Sequence, residues 1–287
     1  GCSAKSLGPF QTGEKIEWSI GLPSATDQAD VILLFGGDGT IHHHLARLVQ
    51  LRLPVLIVPA GSGNDFARAL GIRNLRGSIA AWRSFCARTG KVHWVDLGTI
   101  VALKANAAEG ITSNEPPQYF CSVAGVGLDA EVAAHANALP RWLRARGGYA
   151  LTLIPTIFRF AAFPMRILEL DEDGRWTIRR EQPTLLAAFA NTPAYGGGMR
   201  IAPQARMDDG QLDVCVIRGI GPFKLASMFP TVYFGRHLRI RGVDYFQAPR
   251  LRVETETPRE IYADGEYVCR TPVEIGIQRA ALRVLTP

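Results

Sequence analysis

Several features that would assign a chain to a special class of protein are missing from this sequence. It has no apolar run of about eighteen residues, because Arg159 and Pro164 interrupt the longest candidate, residues 149–165. It also has no apolar segment typical of a secretory signal peptide, no internal repeat and no low-complexity linker. These absences favour a globular protein without a membrane-spanning helix, and we expect it in the cytoplasm.

Cysteine is scarce and follows no pattern. The five copies are odd in number and include no CxxC pair; they are Cys2, Cys86, Cys121, Cys215 and Cys269. They predict buried thiols in a reducing compartment, and they argue against disulfides or a zinc site.

The charge balance is moderately basic, with a formal net charge of +6 and a pI near 9.2. Such a charge is compatible with nucleic acid, an anionic membrane surface or phosphorylated ligands. It is equally compatible with a solvated basic surface that has no partner. Hydrophobic content of 47% and charged content of 20% are ordinary for a globular protein.

The clearest motif is a strand, a glycine-rich turn and a helix in succession. Residues 31–35 form an apolar run typical of a buried strand, and residues 41–51 have apolar positions at helical spacing. Between them stands Gly36-Gly37-Asp38-Gly39-Thr40. Such a turn directs backbone N–H groups and the positive end of a helix dipole at one point, where phosphate commonly binds. Glycines placed only for their backbone angles are the weaker alternative.

A second unit repeats this order. Residues 54–59 predict a strand, Ala60-Gly61-Ser62-Gly63-Asn64-Asp65 a small-residue turn, and residues 66–70 a helix. Two consecutive units of this kind predict parallel strands whose turns meet at one edge of a sheet, where ligands bind in open α/β sheets. For Asp65, a helix-capping role and a role in a pocket wall are equally compatible with the sequence.

Beyond residue 92 the pattern changes to short alternating segments separated by turns, which predict an antiparallel sandwich or barrel. The predicted strands are 91–97, 119–124, 166–170, 176–180, 184–191, 211–217, 250–256, 260–263 and 273–278. Further predicted elements are a strand at 15–20 and helices at 78–88, 139–160 and 223–235. We therefore predict an α/β domain at 1–91, to which about residues 279–287 return, and a β-rich domain at 92–278.

The chemistry of the first turn can be assigned in part from its residue types. Glycines allow the backbone to approach phosphate oxygens, Asp38 could hold a Mg²⁺ that bridges them, and Thr40 can donate a hydrogen bond. No lysine follows the glycines as in a Walker A loop, and the GxGxxG spacing of dinucleotide-binding folds is absent. We expect Gly61, Ser62, Gly63 and Asn64 to form a second wall of a nucleotide pocket.

Taken together, the motifs resemble the diacylglycerol kinase catalytic-domain family, which also contains sphingosine and ceramide kinases. The resemblance covers roughly residues 30–287 in the family's order. Its motifs are GGDGT at 36–40, PAGSGNDFAR at 59–68, VDLG at 95–98, FCSVAGVGLDA at 120–130, IAP at 201–203, MDDG at 207–210 and DGE at 264–266.

This resemblance implies a doubly wound, NAD-kinase-like α/β domain that binds ATP, a β-sandwich-type domain that binds lipid, and an active site in the cleft between them. It implies ATP contacts from Gly36, Gly37, Asp38, Gly39, Thr40, Ile41, His42 and Ser62. It implies that the catalytic base lies at Asp264 or Glu266. It also implies a structural Mg²⁺ held by Arg206, Asp209 and Gln211, the first and last through backbone carbonyls. By itself, Asp264-Gly265 is equally typical of a plain hairpin turn.

Two departures from the family pattern are visible. His42-His43 replaces the common Asn-Glu pair, and the N-terminal Asn-Pro-x-Ser-Gly phosphate loop, another contact to ATP in the family, is not found. The histidines at 42–44 do not predict a metal site, because adjacent helical residues point about 100° apart.

The expected reaction is phosphorylation of a lipid hydroxyl, most simply that of diacylglycerol. A kinase with a soluble acceptor, such as an NAD kinase, and a non-catalytic nucleotide or lipid sensor are the alternatives. Residues 141–146 followed by 151–163 mix basic and large apolar side chains, as an interfacial helix or a helix covering the sandwich would. We expect transient contact with a membrane surface, a possible homodimer, and no nucleic acid.

Overall fold

The structure, a computed structural model, describes residues 7–11, 16–61, 63–106, 110–112, 115–138 and 148–287. In its first part, strands and helices alternate as the apolar pattern predicts. These elements are β1 (Ile32–Gly36), α1 (Asp38–Leu51), β2 (Val55–Pro59), α2 (Asp65–Ala69) and α3 (Leu75–Cys86).

Most of the elements described in the remaining chain are β-strands. The strands are β3 (Lys91–Ala102), β4 (Lys104–Asn106), β5 (Gly110–Thr112), β6 (Gln118–Phe120), β7 (Val123–Gly127), β8 (Phe163–Leu170), β9 (Trp176–Ala190), β10 (Leu212–Arg218), β11 (Val243–Ala248), β12 (Arg250–Thr255), β13 (Glu260–Ala263), β14 (Glu266–Arg270) and β15 (Val273–Thr286). In the described part of the chain, three α-helices interrupt them: α4 (Leu128–Ala138), α5 (Gly148–Arg159) and α6 (Pro222–Val232).

One continuous sheet runs through both parts of the chain. Its main path is β1-β2-β15-β12-β8-β9-β7-β13-β14, with β3 and β6 joined to β15 and with β10 and β11 joined to β9. β1 and β2 are parallel, as predicted, and most of the other pairs are antiparallel. The long strand β15 connects the two parts, because Val284 pairs in parallel with Val55 whereas Val273–Gly276 pair with β12.

Among the residues that the structure describes, three apolar clusters form the core. The first lies between β1, β2 and the helices α1 to α3, and it includes Leu282 and Val284 from the end of β15. The second fills the inside of the β-rich part with residues from β7, β8, β9, β10, β12, β13 and β15. The third packs α4, α5 and α6 against side chains of β9 and β10 that alternate with those of the second cluster, such as Ala188 and Cys215. Alternation of side chains along the strands places successive residues in different clusters.

The predicted fold class, an α/β unit followed by a β-rich unit, is confirmed. The boundaries proposed at residues 91–92 and 278–279 stay a prediction.

The strand predicted at Lys15–Ile20 is wrong in its described part, residues 16–20, which form no strand. Ile16 and Trp18 pack on the first cluster instead of alternating in a sheet, and Ile20 is exposed. Trp18 packs on Trp82 of α3 with ring centroids 5.7 Å apart, and the Trp82 indole N–H donates to the carbonyl of Phe10 at 2.7 Å. Packing on the first cluster therefore accounts for Ile16 and Trp18, two of the apolar positions that suggest a strand.

Several predicted boundaries also need correction. The segments 176–180 and 184–191 form one strand, β9, because Pro183 lies opposite Pro164 of β8 and the pairing continues past it. Helix α3 begins at Leu75, before the predicted Ser78, because the Asn74 side chain accepts the N–H of Gly77. The helix predicted at 139–160 corresponds in the described residues to α5, while residues 139–147 lie outside them.

Four strands have no counterpart in the predictions, namely β4, β5, β11 and β14, and neither has helix α4. Within the described residues, every helix is too short or too polar to cross a lipid bilayer.

The packing of β15 yields a prediction about stability. Leu282→Ala should lower the free energy of unfolding by about 2–5 kcal/mol, because Leu282 is fully enclosed in the first cluster and its loss leaves a cavity. Leu75→Ala is the matched control, since Leu75 is exposed and should change stability by about 0.5 kcal/mol or less. Urea unfolding measures both variants. Equal urea midpoints for the two variants would contradict the burial of Leu282 in the first cluster.

Candidate active site

The two glycine-rich turns lie directly against each other. The N–H of Asp38 donates to the carbonyl of Gly63 at 3.3 Å, and that of Ala60 donates to the carbonyl of Gly36 at 3.0 Å. A Cβ on Gly37 would lie 2.5 Å from the Gly63 oxygen and 2.9 Å from the Gly61 Cα. Backbone therefore touches backbone, and the contact needs glycine at these positions. Because β1 and β2 are parallel, both turns stand at the same edge of the sheet.

Asp38 joins the first turn to helix α2. Its Oδ2 accepts the N–H of Asp65 at 3.0 Å and its Oδ1 accepts that of Phe66 at 3.2 Å, so Asp38 caps this helix from another element. Burial is the largest cause that raises the pKa of Asp38 to about 6, and the nearby charges of Asp65 and Asp264 act in the same direction. A cation bound beside this carboxylate would oppose that rise.

Asn64 and Asp65 have separate contacts. Asn64 closes its own turn, since its Oδ1 accepts the N–H of Gly61 at 3.2 Å and its Nδ2 donates to the Gly61 carbonyl at 2.7 Å. The buried carboxylate of Asp65 accepts a bond from Arg68 at 2.6 Å and the N–H of Gly197 at 2.9 Å. Asp65 therefore connects the first part of the chain to a loop of the second.

Helix α1 starts at Asp38 within the glycine turn, earlier than the predicted Ile41. No side chain among the described residues caps it at Gly37, and Ser62 lies outside the described residues. The first-turn N–H groups and the positive end of the helix dipole are the features of a phosphate site at this point.

The Asp-Gly turn between β13 and β14 is a hairpin with an added role. Asp264 has φ of 52° and Gly265 has φ of 86°, both in the left-handed region that a type I′ turn requires. The Asp264 side chain is 0% exposed. Its Oδ2 accepts the N–H of Cys121 and its Oδ1 that of Ser122, both at 2.8 Å. The turn is thus fixed to the segment between β6 and β7.

His42 of α1 completes the set of donors around Asp264. Its Nδ1 lies 3.1 Å from Asp264 Oδ2, and the His42 side chain is 15% exposed. Burial lowers the pKa of His42, but the hydrogen bond and charge of Asp264, together with the charge of Glu266, outweigh burial and raise the pKa above its ordinary value. This pair links the glycine turn to the β-rich part of the chain.

Glu266 is the exposed carboxylate of the site. A Cβ on Gly39 would lie 2.9 Å from Glu266 Oε1, so this carboxylate lies over the first turn of α1. Cys121, in contrast, is fully buried beside Asp264, and burial raises the pKa of its thiol well above the ordinary value. Cys121 is therefore a packed thiol and not a nucleophile.

The predicted Mg²⁺ residues lie on a separate loop that contacts β3 and β15. Asp209 Oδ1 accepts the N–H of Gln211 at 3.0 Å, and the guanidinium of Arg206 pairs with Asp208 at 3.0 Å. The N–H of Gly210 donates to the buried Asp96 of β3 at 2.7 Å. One carboxylate with main-chain carbonyls fits a Mg²⁺ that keeps several waters. Among the described residues, no cluster of three or more His, Cys, Asp and Glu side chains suits a metal.

A run of three glycines that no prediction includes contacts helix α2 beside the glycine-rich turns. Gly196, Gly197 and Gly198 all have positive φ, and Gly197 donates to Asp65 as described above. The hydroxyl of Tyr195 in the same loop donates to Asp129 of α4 at 2.6 Å. In a sequence, three consecutive glycines indicate a loop with unusual backbone angles, and this signal could have identified the loop as part of the candidate site.

Comparison with known proteins agrees with this geometry. A family model described as "Diacylglycerol kinase catalytic domain" matches residues 13–100, and one described as "YegS C-terminal NAD kinase beta sandwich-like domain" matches residues 122–286. A diacylglycerol kinase of Mycobacterium tuberculosis (strain ATCC 25618 / H37Rv) is 33% identical over 258 residues, which are 90% of this chain and 77% of the relative. A diacylglycerol kinase of Bacillus subtilis is 25% identical over 253 residues, 88% of this chain and 76% of the relative.

A solved structure has a similar fold. A candidate diacylglycerol kinase from Bacillus anthracis superposes with a TM-score of 0.67 at 26% identity, over 91% of this chain and 78% of the other. The fold is thus that of a two-domain kinase with a sandwich-like second domain. The chain belongs to the diacylglycerol kinase and YegS-like family of lipid kinases, which confirms the resemblance seen in its motifs.

The contact between the glycine turns yields a prediction. Gly37→Ala should lower the free energy of unfolding by about 1–3 kcal/mol and weaken nucleotide binding, because the new methyl group must separate two backbones. Gly77→Ala in α3 is the matched control, since its Cβ would meet nothing closer than 3.7 Å. Thermal unfolding and titration with a non-hydrolysable ATP analogue measure both. Wild-type binding in Gly37→Ala would contradict the proposed position of the phosphates.

Proposed function

We propose that this protein transfers the γ-phosphoryl group of ATP to the free hydroxyl of diacylglycerol, with Mg²⁺ as cofactor. The observation that carries the proposal is the contact between His42 and Asp264. Through it, the acidic turn of the β-rich part lies against the glycine turns of the α/β part. A phosphate donor on one side and an acceptor on the other would meet at this contact.

The α/β part supplies the nucleotide side of the proposal. Gly36–His42 and Gly61–Asn64 would hold ATP, with the phosphates at the start of α1. Asp38 is the carboxylate nearest to them for a metal, and Asp209 with the carbonyls of Arg206 and Gln211 is the proposed structural Mg²⁺ site. Bound Mg²⁺ would bridge phosphate oxygens and offset the charge that develops during transfer.

The β-rich part supplies the acid–base side. Phosphoryl transfer to an alcohol needs a group that accepts the hydroxyl proton in the correct place. Asp264 and Glu266 are the carboxylates available: the first is buried with a full set of donors, and the second is exposed above Gly39. Both belong to the β13–β14 turn, which approaches α1 through His42 and Gly39.

An acceptor panel tests the reaction. Purified protein is incubated with Mg²⁺, labelled ATP and, separately, diacylglycerol, monoacylglycerol, phosphatidylglycerol, sphingosine, ceramide or NAD. We expect label in phosphatidic acid. Label only in the product of NAD, or in no lipid of the panel, would refute the proposal, and chelation of Mg²⁺ should abolish the transfer.

The acidic turn yields a prediction about rate. Asp264→Asn should lower kcat/KM for diacylglycerol by about 100- to 10,000-fold, because an amide cannot replace the charge of this carboxylate. Glu266→Gln should lower it less, since Glu266 is exposed to solvent. Glu172→Gln, in the exposed β8–β9 turn, is the control and should react like the wild type. If Asp264→Asn keeps nearly wild-type activity, this turn is not the catalytic one.

A further inference from the structure

A buried asparagine supports the segment that holds Asp264. Asn191 follows β9 directly and is 0% exposed. Its Nδ2 donates to the carbonyl of Asp96 at 2.8 Å and to the carbonyl of Cys121 at 3.0 Å. Its own backbone N–H donates to the carbonyl of Ser122 at 2.8 Å. Asn191 therefore binds the carbonyl groups of the same two residues whose N–H groups bind Asp264.

A single peptide group lies between Asn191 and Asp264. The carbonyl of Cys121 and the N–H of Ser122 both belong to this group. The carbonyl accepts the hydrogen bond from Asn191 Nδ2, while the N–H donates to Asp264 Oδ1 at 2.8 Å. A hydrogen bond accepted by the carbonyl of a peptide group polarises its N–H and strengthens the bond that the N–H donates. Asn191 thus fixes the orientation of this peptide group and strengthens its hydrogen bond to Asp264.

The amide of Asn191 matches the two acceptors that face it. A primary amide nitrogen carries two hydrogens, and its partners here are two carbonyl oxygens, which only accept. Nδ2 must therefore face these carbonyls, and both of its hydrogens are used. An aspartate side chain would offer neither donor when ionised, and a serine or threonine hydroxyl would offer one. The position therefore requires the two donors of an asparagine.

The oxygen of the same amide has no compensating contact. Within the described part of the chain, Asn191 Oδ1 is buried without a hydrogen-bond partner. A buried acceptor that lacks a donor lowers the stability of the fold. Stability alone therefore does not account for an amide at this position, whereas the need for two donors at Nδ2 does.

The other partner of the amide, Asp96, is itself fixed by its neighbours. The buried Asp96 carboxylate accepts the N–H of Gly210 and that of Ala280, both at 2.7 Å. The backbone N–H of Asp96 donates to the carbonyl of Met207 at 2.7 Å. Because β3 and β15 hold Asp96 in this way, its carbonyl gives Asn191 a fixed point from which to orient the Cys121–Ser122 peptide group.

We propose that Asn191 is a positioning residue that acts through Asp264. By holding the Cys121–Ser122 peptide group, it directs the Ser122 N–H at the carboxylate and keeps the carboxylate where it meets His42. The proposal deepens the proposed function and rests on it, since Asp264 belongs to the turn that supplies the acid–base side. A displacement of about 1 Å at such a group can lower a rate about 100-fold. The hydrogen bonds of Asn191 lead to β3 and to the β6–β7 segment, so its loss should affect phosphoryl transfer and not nucleotide binding.

Steady-state kinetics provides the first test. Asn191→Ala should lower kcat for diacylglycerol about 100-fold, because the peptide group that binds Asp264 is no longer held. The KM for ATP and the affinity for a non-hydrolysable ATP analogue should stay at their wild-type values. Asn74→Ala is the matched control, since it removes the side chain that caps α3 away from the site. It should lower the unfolding temperature but keep the wild-type kcat.

An NMR titration of His42 reports on the position of Asp264 without turnover. The hydrogen bond and charge of Asp264, together with the charge of Glu266, hold the pKa of His42 above its ordinary value. In Asn191→Ala, the imidazole of His42 should therefore titrate at lower pH than in the wild type. In Asn74→Ala it should titrate as in the wild type. A general loss of stability would lower the unfolding temperature of both variants but would leave this titration unchanged.

A milder variant completes the experiment. Asn191→Ser keeps one donor, so it should lie between the wild type and Asn191→Ala in both measurements, and it takes the place of Asn191→Ala if that variant does not fold. A wild-type kcat in the folded variant, or an unaltered titration of His42, would overturn the proposal. If the wild type itself transfers no phosphate to diacylglycerol, the proposed function fails, and the titration alone decides whether Asn191 positions Asp264.

Discussion

The carboxylate of Asp264 is the contact on which the candidate site depends. It accepts bonds from the backbone of Cys121 and Ser122 and contacts His42, so it joins the hairpin turn, the β6–β7 segment and helix α1. A buried carboxylate is stable only when donors satisfy its oxygens. Removing any of these partners would leave the buried charge less well compensated. The contacts of Asp264 therefore hold α1 of the α/β part against the β-rich part at this point.

The glycine turns impose the second constraint. At Gly37 and Gly61 the two backbones are too close for any side chain, and Asp38 then caps α2 across the same gap. The arrangement leaves the start of α1 without a side-chain cap among the described residues. Backbone N–H groups without partners at a helix start lower stability, and they are typical of a site where a ligand phosphate accepts their hydrogen bonds.

The sequence predicts the segments of the candidate site but not the contacts between them. Parallel βα units at Gly36–Thr40 and Gly61–Asn64 must meet at one sheet edge, so their proximity was predictable. The partners of Asp264 were not, because two are backbone N–H groups about 140 residues away, which leave no side-chain signature. The family resemblance predicts that His42 contacts ATP. Its contact with Asp264 forms only because the fold brings α1 and the β13–β14 turn together, and no local sequence pattern indicates this. The sequence pattern predicts two strands, 176–180 and 184–191, where the structure has β9 alone, because pairing with β8 continues past Pro183.

The central claim is that one nucleotide site lies between the glycine turns and the Asp264 turn. Hydrogen exchange of backbone amides with and without a non-hydrolysable ATP analogue and Mg²⁺ tests it most directly. The account predicts protection at residues 36–42 and 61–66 and at the 264–266 turn, with little change elsewhere. Protection confined to other segments, or none at saturating analogue, would contradict it.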